Sequence, residues 1–218
     1  MITITDREYK ATKRIKQGKK ALSPPLDELA RWVAAKWGVT VLNIVYDRPN
    51  SLHAARVQVI LEQDADARKF RQGVNFDAEK QAAIKKRFLE IIGRTPSHGY
   101  DVTGLFVVFS AFAPLAKQEA DAQIQEAEVE TLKRRLKNPD IWIISRCFGQ
   151  VTIFFFTEDQ AKQYEAHGKK AEYACRYFEL LKPHDEFGYL KEQEYTVAFD
   201  SKQNFDEKYQ GSWFNYYH

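Results

Sequence analysis

A block order of helix, strand, strand, helix, strand runs twice along this 218-residue chain, and residue types agree between the two runs at fixed offsets. Val57-Gln58-Val59-Ile60-Leu61 aligns with Val151-Thr152-Ile153-Phe154-Phe155 at an offset of 94, and Ala67-Arg68-Lys69-Phe70 aligns with Ala161-Lys162-Gln163-Tyr164 at the same offset. Arg87 to Ile92 falls on Arg176 to Leu181 at an offset of 89, and Gly99-Tyr100 falls on Gly188-Tyr189. Phe109 and Phe199 close the two final strands. Amphipathic periodicity alone does not hold an offset through several blocks. The expected fold is therefore α+β: internally duplicated helix-strand-strand-helix-strand units on mainly antiparallel sheet, making one two-lobed domain with pseudo-twofold symmetry. The expected division is a basic N-terminal arm over 1–22, a first repeat over 23–110, a second over 111–209, and an aromatic tail over 210–218. The seam between the lobes is the natural place for a cleft. The order resembles split βαβ arrangements, a likeness of fold that carries no function.

The individual elements follow from spacing. Leu26, Leu29, Ala30, Val33 and Trp37 form one helix face, with Ser23-Pro24 as its start and Gly38 as its stop. Strands are expected over 39–46, 57–61, 105–109, 140–147, 151–156 and 194–199. The run over 105–109 is apolar on both faces, which predicts a central strand. Helices are expected around Ile84 to Ile92, Ile124 to Leu136 and Tyr173 to Leu181. Thr157-Glu158-Asp159-Gln160 has the pattern of a capping box.

Charge is unevenly placed. Residues 1–22 hold seven cations against two anions, a net +5, which leaves −2 on the rest of the chain. The basic arm could contact phosphates. Tyr9 is its only aromatic, so base stacking is poorly supplied, and a flexible or surface-helical terminus kept soluble by charge is the plainer reading. The two cysteines, Cys147 and Cys175, are expected as buried thiols of a reduced, cytoplasmic protein. No apolar run approaches the roughly 18 residues of a membrane span, so no membrane partner is expected.

Signatures of specific chemistry are missing. The ten glycines fall singly, without a phosphate-cradling loop, and neither His-Glu-x-x-His nor Gly-x-Ser-x-Gly occurs. No metal and no cofactor is expected. The weak catalytic candidates are His98, Tyr100 and Asp101 before the last strand of the first repeat, with His184, Asp185 and Tyr189 before that of the second. Imidazole, phenol and carboxylate together can do acid–base work, but loops around a required glycine also collect these types. The binding candidates are Arg56, Gln58 and Glu62, a polar face on the second strand, and Trp213, Phe214, Tyr216 and Tyr217 in the tail. The sequence thus favours a soluble intracellular binding or interaction protein, with a protein partner or small-molecule ligand. An acid–base enzyme at the seam and a nucleic-acid binder through the arm are the alternatives.

Overall fold

Helix starts and stops written in the sequence set the first unit's frame. The computed structural model describes residues 2–49, 54–94, 99–147 and 149–217, which cluster into two compact units, 1–115 and 116–218. Helix α1 spans Arg7–Lys16. Helix α2 spans Pro24–Trp37, with Pro24 at its first turn and Gly38 ending it in the left-handed region at φ +59°. Strands β1 (Val41–Asp47) and β2 (Arg56–Leu61) pair antiparallel. Short α3 (Asp64–Arg68) carries Asp64 and Asp66 in its first turn, where carboxylates suit the helix dipole, and a two-residue ribbon, β3 (Arg71–Gln72) with β4 (Asn75–Phe76), follows. Helix α4 (Ala78–Gly93) then carries the chain to β5 (Phe106–Ala111), which pairs parallel with β2.

Helix α5 (Ala113–Gln123) leads into the second unit. There α6 (Glu126–Leu136) precedes β6 (Ile141–Cys147) and β7 (Gln150–Phe155), again antiparallel. Helices α7 (Glu158–Ala166) and α8 (Lys169–Leu181) lead to β8 (Ala198–Ser201), parallel to β7. Two short helices, α9 (Lys202–Tyr209) and α10 (Trp213–Tyr217), end the described chain. The content is α+β.

Both three-stranded sheets have the same strand order, with the middle strand second in sequence: β1-β2-β5 and β6-β7-β8. Register agrees residue by residue. Asn43 faces Ile60 and Ile143 faces Phe154, each just past a register shift, and Val59 faces Phe109 as Ile153 faces Phe199. Of these, only Val59 with Ile153 and Ile60 with Phe154 are also matched at the sequence offset of 94. The sheets are mixed rather than mainly antiparallel, because a helical crossover returns the third strand parallel to the second. For the same reason β5 is an edge strand and β2 the central one, which corrects the expectation drawn from the apolar run over 105–109. The last strand also lies later than expected, at Ala198–Ser201, with a turn of 3-10 helix over Glu192–Glu194.

Each unit has its own core on one sheet face. In the first, Val57, Val59 and Leu61 meet Leu29 and Val33 of α2 and Ile84, Phe88 and Ile91 of α4. In the second, Val151, Ile153 and Phe155 meet Val129 and Leu132 of α6 and Tyr173, Tyr177 and Leu181 of α8.

Candidate functional site

The polar face of β2 is covered, and its cover is the basic arm. Residues 7–16 fold into α1 rather than hanging as a charged tail, and α1 lies on the sheet face opposite the core. Tyr9 is only 1% exposed and stacks on Phe112 at 5.3 Å. Thr12 is buried: its hydroxyl donates to the Glu8 carbonyl at 2.7 Å and accepts from Asn43 Nδ2 at 2.9 Å. Lys16 Nζ reaches Glu62 Oε1 at 2.6 Å. Arg56 Nε donates to Asp47 Oδ1 at 2.8 Å, and a second nitrogen lies 3.5 Å from Glu8 Oε1. The hydrogen bond to Asp47 leads the effects that hold this guanidinium's pKa above its ordinary value. Gln58 Nε2 donates to Ser110 Oγ at 3.1 Å. Arg56 and Glu62 therefore hold the chain's own helix, while Gln58 bonds sideways to β5.

Along one side of α1 a groove of about 630 Å³ opens, within the ordinary range of ligand sites. Ala11 and Ile15 line one wall, Leu22 and Leu26 the other. Its base is the run Asn43 to Asp47, five consecutive residues of β1. Side chains alternate across a strand, so five in succession can line one cavity only where it follows the strand's backbone edge. β1 is an outer strand, paired with β2 alone. Arg7, Glu8 and Lys20 stand at the rim. Glu8 and Asp47 are both taken up by Arg56, whereas Arg7 and Lys20 make no ion pair among the described residues.

In the second unit the corresponding sheet face is covered from the other end of the chain. Trp213 stacks near Trp142 at 6.1 Å and meets Phe205 at 4.2 Å, while Tyr216 packs on Phe154 at 5.1 Å. Tyr216 donates to Asp200 Oδ2 at 2.6 Å, and the Tyr217 and Ser145 hydroxyls lie 2.7 Å apart. The aromatic tail is docked. Phe214, at 70% exposed, is its outward residue. The outer strand β6 also differs from β1: Lys133 Nζ donates to the Trp142 carbonyl, and Arg146 Nη1 donates to the Asp121 carbonyl at 3.0 Å.

The remaining candidates fall into turns. His98 lies outside the described residues, as do His53 and His218. Tyr100 is wedged edge-on against Tyr46 at 4.8 Å and Phe88 at 5.4 Å. The Asp101 carboxylate accepts from the Thr103 amide at 2.8 Å, which leads the causes that lower its pKa, and it pairs with Arg48. Asp185 caps the loop after α8 through the amides of Tyr189 at 3.1 Å and Leu190 at 2.7 Å. His184 Nε2 sits 3.6 Å from Glu128 Oε1, and half-buried Tyr189 lies 5.8 Å from Phe187. Gly99 and Gly188 both take positive φ, +57° and +67°, as the turn reading requires. The cysteines are unpaired and half-buried rather than buried. Cys175 Sγ donates to Glu192 Oε1 at 3.1 Å, and that hydrogen bond to a carboxylate raises the thiol's pKa. Among the described residues there is no cluster of three or more metal-ligating side chains, and no helix long and apolar enough to cross a membrane.

No family model, no curated protein and no solved structure matches this chain. Any functional reading rests on its own geometry. The groove went unseen in the sequence because its walls come from α1, the 20–26 segment and β1, which no local pattern joins. The one usable signal was the i, i+4, i+8 spacing of Arg7, Ala11 and Ile15 inside a segment otherwise read as charge.

Proposed function

We propose that this chain is an interaction protein that works by binding a partner rather than by catalysis, and that the α1–β1 groove is its binding surface. The observation that carries this reading is a groove floored by a strand edge and walled by apolar side chains. The acid–base alternative loses support at Asp101 and Asp185, whose carboxylates are engaged by loop amides. A reducing, cytoplasmic setting belongs to the same proposal and is supported by the two unpaired thiols. The two units are read as descendants of one ancestral αββαβ element, supported by the matched registers and register shifts.

The test places a photo-crosslinking amino acid at Ala21, exposed on the groove wall, with Lys162 of α7 as control, in the native host. A protein captured from position 21 and not from 162 is then purified and its affinity measured by calorimetry. Ala21→Trp, which fills the groove, is expected to weaken that affinity roughly tenfold or more. Unchanged affinity, or substrate turnover that needs no groove residue, overturns the proposal.

Nucleic-acid binding is the second reading, favoured by Lys10, Arg14 and Lys19, which face solvent. Deleting 1–22 is the wrong test for it, since that also strips Tyr9 and Thr12 from the sheet. Charge reversal at Lys10, Arg14 and Lys19 removes the cations and keeps the helix. The expected signature is a shallower dependence of affinity on salt.

A further inference from the structure

We infer that the α1–β1 groove takes an extended, acidic segment of a partner protein as an added strand on β1. This rests on the interaction reading above and gives it a mode and a chemistry. An outer strand presents amide donors and carbonyl acceptors along its free edge, and the group that matches such a row is another extended backbone. A cavity of about 630 Å³ is lined by Asn43 to Asp47. On an added strand, side chains would alternate toward the Ala11–Ile15 wall and the Leu22–Leu26 wall, which selects small apolar residues at alternate positions.

Charge decides the remaining positions. The groove's own acids, Glu8 and Asp47, are consumed by Arg56. Its cations at the rim, Arg7 and Lys20, are exposed and make no ion pair among the described residues. Lys10, Arg14 and Lys19 extend the positive field along the same arm. A basic segment would meet repulsion here, and an acidic one would be steered in. The second unit shows the contrary arrangement. Its outer strand has the Trp142 carbonyl occupied by Lys133 of α6, so that acceptor is already taken.

The test uses the full chain and a synthetic peptide of about eight residues alternating valine and glutamate. Its controls are the valine–lysine counterpart, a helix-stapled acidic peptide and a single-stranded oligonucleotide. Amide hydrogen exchange reads the result residue by residue. The acidic extended peptide is expected to slow exchange across 43–47 by roughly tenfold or more while leaving β6 unchanged. Arg7→Glu with Lys20→Glu is expected to weaken binding about tenfold at low salt, with the unliganded exchange pattern intact. Several outcomes overturn the inference: no slowing across 43–47 at millimolar peptide, or equal binding of the lysine counterpart. Preferential binding of the stapled helix, or oligonucleotide binding that protects α1 alone, also counts against it. So does concentration-dependent protection of β1 without peptide, which would make a second copy of this chain the occupant. A partner captured at position 21 that leaves β1 exchange unchanged keeps the interaction reading and removes strand addition. Protection by the peptide, with no partner recovered from cells, keeps the mode and removes the biological reading.

Discussion

Tyr9 and Thr12 turn a charged segment into part of a folded unit. Tyr9 is buried against Phe112, and Thr12 holds Asn43. Tyr9→Ala empties an aromatic site and is expected to cost about 3–5 kcal/mol, read as a lower urea midpoint. A loss under about 1 kcal/mol would mean that α1 is a loosely held appendage. The seven cations hid this. In a sequence, charge density signals solvation, and two buried side chains among ten residues of helix do not shift that average. Arg56, Gln58 and Glu62 were legible as a polar face, but what covers that face was not, because the cover lies about 45 residues away in the chain. Gln58 adds a detail: it is 4% exposed and its Oε1 is buried without a protein partner. Gln58→Leu exchanges that orphaned acceptor for apolar volume.

Elements with explicit end signals were readable, and those without were not. The Ser23-Pro24 start, the Gly38 stop and the Thr157 capping box all stand where the sequence puts them. Thr157 Oγ1 accepts from the Gln160 amide at 3.2 Å, while Gln160 Oε1 accepts from the Thr157 amide at 2.9 Å. Thr157→Ala is expected to cost about 1 kcal/mol, seen as a lowered thermal midpoint, with Thr157→Ser recovering most of it. If serine fails to recover stability, the box is not what holds the start of α7. By contrast α5, α9 and α10 escaped notice. They are short or weakly amphipathic, and α10 is fixed by ring contacts with β6 and β7 rather than by its own periodicity. Strand order escaped for a different reason. β5 is apolar on both faces, yet it lies at an edge, because the hairpin before it had already placed β2 in the middle.

Across the whole molecule, buried phenols set an alkaline limit to stability. Tyr177, Tyr195 and Tyr216 all have raised pKa values, each chiefly through burial. Asp121 beside the first two and Asp200 beside the third add to the effect. The unfolded chain ionises its tyrosines near pH 10, while the folded chain keeps these three protonated to higher pH. Their contribution is therefore complete below about pH 10 and is lost as pH rises beyond it. The chain has eleven tyrosines, so the absorbance of the wild type less that of Tyr216→Phe isolates one of these rings, and it should rise together with the loss of far-UV circular dichroism above that pH. Tyr216→Phe should make stability less dependent on pH in that range. Ionisation of Tyr216 near pH 10 in that difference, without loss of structure, would contradict the burial of its ring.

The docking of α1 also fixes an order of events during synthesis. Tyr9 is made early, yet its stacking partner Phe112 is made about a hundred residues later, a delay of roughly 5–20 s at ordinary elongation rates. Through that interval the nascent arm carries five excess positive charges, and its tyrosine lacks the ring it stacks on. The second unit runs the other way, since α9 and α10 emerge just after β8 and arrive at a sheet already laid down. A ribosome stalled before residue 106 would thus present the basic helix without the strand that completes its seat.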